Sequence, residues 1–321
     1  VKNKRIIIEN TEYSILLYCL LKKKWQEDTF ILSDLFRESF LKTLKEKAKE
    51  IFIFEPTSIK KNILRYYFGI LKLYFYLIKK SFRKNIEIYG NDSLVYSRFI
   101  NKGYILLEDG SINYKIIKSR KNYLKEIIKL KNPFYSPYGY SKKVKKIYLT
   151  GLAQIPEEIK NKVEIIDLKK LWKLKTREEQ QQILEIFGFN NNLIKELKEK
   201  NIILFTQPLS EDGILNEQEK IELYSKIILK YPKEKLIIKT HPREKTNYSK
   251  IFNEIYILEQ NFPAEIFSLL EISFKKGITL FSTAVLANNC EEIDFYGTEV
   301  HPKLLKKFGS MDHIMKRNKF L

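Results

Sequence analysis

The chain has 321 residues, 44% of them hydrophobic and 31% charged, with only 11 glycines and 9 prolines. That composition excludes disordered, collagen-like and low-complexity classes and leaves room for two folded domains. An excess of 59 Lys and Arg over 39 Asp and Glu gives a formal charge of +20, which favours polyanionic partners such as phosphorylated or acidic sugars, anionic lipid or nucleic acid.

Strand and helix signals alternate along the first half. Strands are predicted at Arg5–Ile8, Thr29–Leu32, Ile51–Phe54, Asn85–Tyr89, Tyr104–Leu107, Lys146–Leu149 and Val163–Leu168. Helices are predicted between them, at Thr11–Lys23, Leu35–Lys49, Ser58–Lys80, Asp92–Phe99, Tyr114–Leu130 and Leu171–Gly188. The passage from Asn132 to Tyr140 reads as loop, and the polar stretch from Phe189 to Lys200 as the region between domains. The second half repeats the rhythm, with strands at Ile202–Phe205, Leu236–Lys239, Tyr256–Glu259, Ile278–Phe281 and Glu292–Tyr296. Its helices are expected at Asn216–Lys230, Ala264–Leu270, Ser282–Asn288 and Lys303–Phe320. Strand–helix–strand alternation implies parallel sheets wound by right-handed crossovers. The expected fold class is α/β with two Rossmann-like domains, residues 1–190 and 191–300, and a helical segment, residues 301–321, packing back on the first domain.

No apolar run reaches the length of a membrane span, and Ile63–Ile78, interrupted by Arg65 and Lys72, reads as amphipathic. Two distant cysteines, Cys19 and Cys290, and three histidines exclude a disulfide framework and a zinc cluster, and fit a cytoplasmic protein. A chain starting at Val1 leaves a trimmed N-terminal signal or anchor open.

In parallel sheets, ligands bind beyond the carboxyl ends of the strands. The polar clusters at those ends are therefore the candidate site. Gln207-Pro208-Leu209-Ser210-Glu211-Asp212-Gly213 follows one strand; a carboxylate there can take a proton from a hydroxyl, or the sequence is simply an Asp-Gly turn. His241-Pro242-Arg243 follows the next strand, where an imidazole can meet a leaving phosphate, or merely occupy a turn. Ser282-Thr283, at a strand–helix junction, suits a phosphate or is a plain helix cap. Glu265 can bridge the hydroxyls of a ribose or be an acidic first-turn residue. Glu108-Asp109-Gly110 and Asp92 are the matching strand-end carboxylates of the first half; His301-Pro302 reads as a linker turn. No phosphate-binding glycine loop and no serine-hydrolase elbow is present.

Taken in order, Glu108-Asp109-Gly110, Gln207 to Gly213, His241-Pro242-Arg243, Glu265 and Ser282-Thr283 resemble the bacterial sialyltransferases of glycosyltransferase family 52, which include lipooligosaccharide sialyltransferases. The likeness spans nearly the whole chain and is strongest from Ile202 to Ala284. It implies a GT-B fold with the nucleotide-sugar donor, CMP-N-acetylneuraminic acid (CMP-Neu5Ac), in the C-terminal domain. It implies inversion at the anomeric carbon, no metal and no cofactor, and a galactoside acceptor joined in α2,3 linkage. Carried onto this chain, Asp212 resembles the general base and His241 the group that meets the CMP phosphate. Ser282 and Thr283 resemble the phosphate-binding hydroxyl pair, although the family often has two serines there, and Glu265 resembles the ribose ligand. Gln207, Arg243 and Asp109 border the substrates. Related sialyltransferases of this fold place the base on an acidic-Asp-Gly motif of the first domain, so Asp109 is a rival to Asp212. Members also form intertwined dimers, which implies a homodimer here, and the basic charge suits peripheral contact with the anionic inner membrane. Two other readings stand beside this one: a family-related α-glucosyl or hexosaminyl transferase using another nucleotide sugar, and a basic, non-enzymatic binder of polyanions.

Overall fold

The computed structural model describes residues 4–33, 36–54, 68–76, 86–94, 97, 103–114, 138–241, 243–258, 262–285 and 290–311. The chain divides into two compact units, Val1–Ile186 and Phe187–Leu321. This boundary falls earlier than residue 190 because Phe189 packs edge-on against Phe262 of the second unit, ring centroids 4.4 Å apart.

The first unit holds seven strands: β1 (Lys4–Glu9), β2 (Thr29–Ser33), β3 (Glu50–Phe54), β4 (Ile86–Gly90), β5 (Tyr104–Leu107), β6 (Val144–Leu149) and β7 (Val163–Ile165). Their order in the sheet is β3-β2-β1-β4-β5-β6-β7 and every pairing is parallel. The β-branched run of β1 explains its central place, since Ile6, Ile7 and Ile8 are all buried, as a parallel sheet covered on both faces requires. Helices α1 (Glu12–Leu21) and α2 (Glu38–Lys47) connect the first three strands. Thr11 caps α1 by accepting the Ser14 N–H. The order reverses between β1 and β4, and there the two backbones come close. A Cβ at Gly90 would lie 2.1 Å from the Ile8 carbonyl oxygen.

The second unit repeats the plan with β8 (Ile202–Phe205), β9 (Leu236–Lys239), β10 (Tyr256–Leu258), β11 (Phe274–Thr279) and β12 (Cys290–Phe295), ordered β10-β9-β8-β11-β12 and all parallel. Its reversal lies between β8 and β11. A core of Leu204, Ile238, Ile278, Tyr224, Ile227 and their neighbours fills one face.

Three expectations are corrected. The helix expected over Leu171–Gly188 is two helices, α4 (Leu168–Lys173) and α5 (Arg177–Ile186), after a short α3 (Glu157–Lys160). They break at Lys175, which is buried and donates to the Lys22 carbonyl at 2.7 Å. The polar stretch after Phe189 is not a linker but α6 (Asn191–Glu199), capped by the Asn190 side chain and burying Leu193 and Leu197. Strand β11 begins earlier than Ile278, because Lys276 is satisfied across the sheet, pairing with Glu292 at 2.9 Å and Asp294 at 3.3 Å, while Lys275 faces outward.

The second unit also contains α7 (Glu217–Ile228), α8 (Tyr248–Ile251), α9 (Glu265–Leu269) and α10 (Pro302–Phe308). Helix α10 is the described part of the C-terminal segment, and it packs on the core of its own unit. Leu304 joins that core, Lys303 pairs with Glu219 at 2.6 Å, and Phe308 meets Phe281. Residues 312–321 lie outside the described residues, as do most of the expected helices 58–80 and 114–130. Residues 68–76 of the former are helical. Among the described residues no helix is long and apolar enough to cross a membrane.

Candidate active site

The strand tips of the second unit hold the densest polar constellation. After β8, the turn 209–213 closes through hydrogen bonds from Asp212 N–H to the Pro208 carbonyl (2.9 Å) and from Gly213 N–H to the Ser210 carbonyl (3.0 Å). Gly213 takes φ +67°, which a side chain would resist. The turn sends its two carboxylates apart. Glu211 points back, to the Lys220 ammonium at 3.0 Å and the Lys245 N–H at 2.6 Å. Asp212 stays about one-third exposed and takes the Arg243 guanidinium as a two-pronged fork, at 2.5 and 3.1 Å. Glu211 is thus structural, and Asp212 is the carboxylate open to a ligand.

Arg243 also reaches His241, its N–H donating to Nδ1 at 3.1 Å. A neutral imidazole whose Nδ1 accepts carries its proton on Nε2. Burial, with the Arg243 and Lys239 charges, pushes the His241 pKa down to about 4, so the group is a neutral hydrogen-bond donor at physiological pH. An unfolded imidazole titrates near 6.5, so between about pH 4 and 6.5 the unfolded chain binds more protons and stability rises with pH. Wild-type protein should therefore lose more stability than His241→Asn on acidification from pH 7 to pH 5, measured by urea unfolding. Equal losses would show that the imidazole is not held neutral.

Gln207 spans the reversal between β8 and β11. Its Oε1 accepts the Phe281 N–H at 3.3 Å, its own N–H donates to the Tyr224 hydroxyl at 2.8 Å, and its side-chain NH₂ is left to donate. Beside it, the Ser282 Oγ accepts the Ala284 N–H at 3.3 Å and the Ser282 N–H donates to the Thr279 hydroxyl at 2.9 Å. Ser282 thus caps the short turn Thr283–Val285 and can still donate its hydroxyl proton. The Thr283 side chain and Pro242 lie outside the described residues. Glu265 is half-buried at the start of α9, two elements along. Gln207, Asp212, His241, Arg243 and Ser282 therefore gather at the carboxyl edge of one sheet. His301 does not belong with them; it caps α10 by accepting the Lys303 N–H.

The first unit has its own acidic edge. Glu108 is fully buried and accepts from the Tyr13 hydroxyl (2.8 Å), the Tyr114 hydroxyl (2.6 Å) and Thr150 N–H (2.6 Å), which makes it a structural hub. Asp109 is held by Asn91 Nδ2 at 2.7 Å, and burial raises its pKa to about 6. Asp92 is raised to about 6 by burial as well and accepts the N–H groups of Tyr138 and Gly139. Sequence reasoning missed Glu9, the last residue of β1. It is fully buried, with Oε1 lacking a partner among the described residues, and burial and the Asp109 charge push its pKa well up. It also missed Lys220, a fully buried lysine on α7. The available signal was its phase: Lys220 stands in helical register with Leu223, Tyr224 and Ile227, where an apolar residue is expected.

Two parallel α/β units, each with strand-end polar clusters at its order reversal, define a GT-B fold. The sequence profile of Glycosyltransferase family 52 matches residues 31–304. The chain is 46% identical over 246 residues to an uncharacterized protein of Haemophilus influenzae, covering 75% of this chain and 78% of that one. Among solved structures it is similar to a 2,6-sialyltransferase of Photobacterium sp. JT-ISH-224 in complex with CMP and lactose. The TM-score is 0.59 at 11% identity, over 94% of this chain and 75% of that one. It is also similar, at TM-score 0.49 and 15% identity, to a UDP-GlcNAc 2-epimerase of Methanocaldococcus jannaschii, over 99% and 100% of the two chains. The chain belongs to glycosyltransferase family 52.

Proposed function

We propose that this glycosyltransferase moves N-acetylneuraminic acid from CMP-Neu5Ac to a terminal galactoside of a bacterial surface glycan such as lipooligosaccharide. Transfer proceeds with inversion, in α2,3 linkage, and without a metal or cofactor. The observation that carries this reading is Arg243, whose guanidinium forks onto Asp212 while its backbone N–H donates to His241 Nδ1, at the tips of neighbouring strands. CMP is a good leaving group, so the transition state is oxocarbenium-like. It needs a carboxylate for the incoming hydroxyl and a donor for the departing phosphate. Asp212 takes the first role and the Nε2–H of His241 the second. Ser282 and Thr283 hold the phosphate oxygens, Glu265 the ribose, and Gln207 and Asp109 contact the substrates. The Photobacterium enzyme's complex with CMP and lactose supports the choice of probes. Incubation with CMP-Neu5Ac and lactose should release CMP and form sialyllactose. Turnover of UDP-sugars with CMP-Neu5Ac left intact would replace this reading with the glucosyl or hexosaminyl alternative.

The enzyme is further proposed to work in the cytoplasm, docked on the anionic inner membrane. The support is the helical stretch 68–76. It buries Leu73 at 1% exposure and turns Phe68 (71%), Leu71 (53%) and Phe75 (66%) outward on the opposite face. The sequence around it, residues 56–86, carries eight Lys and Arg and no Asp or Glu, a charge that suits an anionic lipid surface. Phosphatidylglycerol vesicles should bind the protein about tenfold more tightly than neutral vesicles, and Phe68→Ser with Phe75→Ser should abolish the difference. If the double variant instead converts a dimer to a monomer and leaves vesicle binding intact, the face belongs to the homodimer.

A further inference from the structure

Helix α7 presents Lys220, Leu223, Tyr224 and Ile227 on one face, and all four are buried. An apolar side chain at position 220 would complete that face. Instead a fully buried ammonium sits there, 3.0 Å from Glu211, 3.3 Å from Glu217 and 3.8 Å from Glu244. These three carboxylates come from the loop after β8, from the first turn of α7 and from the loop after β9.

Each of them then ties the two loops together. Glu211 Oε1 accepts the Lys245 N–H at 2.6 Å. Glu217 accepts the Ser210 hydroxyl at 2.5 Å and the Thr246 hydroxyl at 2.5 Å. Glu244 Oε2 accepts the His241 N–H at 2.7 Å and the Thr206 hydroxyl, while its Oε1 accepts the Tyr248 hydroxyl at 2.8 Å. One loop carries Asp212 and the other carries His241 and Arg243.

We infer that Lys220 is a positioning residue: its buried charge keeps Glu211, Glu217 and Glu244 ionised as acceptors and so fixes the Asp212 loop against the His241 loop. Burial alone would drive Glu244, and to a lesser degree Glu211, toward their neutral forms and weaken their ties. Glu244 shows the pull, since burial raises its pKa while Thr206, the His241 N–H, Tyr248 and Lys220 oppose the rise. Because the catalytic pair must be placed to a fraction of an ångström, slack between the loops costs rate rather than donor affinity.

This inference rests on the proposed roles of Asp212 and His241, so its test has a readout that needs no turnover. In Lys220→Met, hydrogen exchange at the His241 and Lys245 amides should quicken by about tenfold or more, with the amides of β8 and β9 unchanged. At saturating substrates kcat should fall by about 100-fold while the KM for CMP-Neu5Ac moves by no more than about threefold. Lys220→Met with Glu244→Gln replaces a buried carboxyl that has lost its counter-charge with a neutral acceptor for the His241 N–H, and should recover about tenfold of the lost rate. If Lys220→Met does not accumulate as folded protein, the double variant is read in its place and should stand about tenfold below wild type. Wild-type kcat per folded molecule in the variant read, or faster exchange spread evenly over β8 and β9, overturns the inference. If wild-type protein leaves CMP-Neu5Ac untouched, the proposed function fails while the amide exchange still decides the role of Lys220.

Discussion

Asp212→Ala should lower sialyl transfer from CMP-Neu5Ac to lactose by about 100-fold or more, the usual cost of losing an acid–base group. The carboxylate is partly exposed and its ion pair is with a guanidinium that is itself 62% exposed. Such a pair contributes at most about 1 kcal/mol to stability, so the thermal midpoint should move by no more than a few degrees. Loss of rate without loss of fold separates a chemical role from a structural one. The fork from Arg243 is compatible with the proposed base role, because each carboxylate oxygen keeps a second lone pair for an incoming hydroxyl. The rival is Asp109, whose environment, buried and touched by Asn91, raises its pKa to about 6. If Asp109→Ala is inactive while Asp212→Ala turns over near the wild-type rate, the base lies in the first unit. The acid limb of the rate profile should then fall near pH 6.

His241→Asn should reduce kcat by about 100- to 1,000-fold, the range seen when one preorganised donor to a developing negative charge is removed. In the proposed reaction the departing CMP phosphate would gain charge as the glycosidic bond breaks, and a fixed Nε2–H would meet that charge without reorganisation. The ring is fixed from the other side, by the Arg243 N–H on Nδ1 and by the backbone tie from His241 N–H to Glu244. With its pKa near 4 in the free protein, the imidazole contributes no limb to the profile of kcat/KM for the donor between pH 5 and 8. The asparagine variant should therefore lose rate evenly across that range. Full activity in His241→Asn would remove His241 from the mechanism.

Much of this architecture is legible in the sequence because parallel strands buried on both faces read as plain apolar runs, such as Ile202–Phe205 and Leu236–Lys239. Where strands carry charge the signal fails. Strand β11 reads Phe-Lys-Lys-Gly-Ile-Thr, and only the pairing of Lys276 with Glu292 and Asp294 on β12 accounts for its first half. The helix after Asn190 was hidden by its Asn triplet, whose first member caps rather than breaks it. At the candidate site, the strand ends point to the loops that carry the polar cluster. The division of labour within Glu211-Asp212 was not legible, because it depends on a lysine nine residues away and an arginine thirty-one residues away meeting the two carboxylates from opposite sides. Lys220 itself was visible as a phase violation on its helix, and Glu9 as a carboxylate closing the triple-isoleucine run of β1.

Glu9 has a consequence for the protein as an electrolyte. A carboxyl sealed from water beside Asp109 keeps its proton when surface glutamates have lost theirs. Above the ordinary glutamate range, unfolding therefore releases a proton to the buffer from this residue.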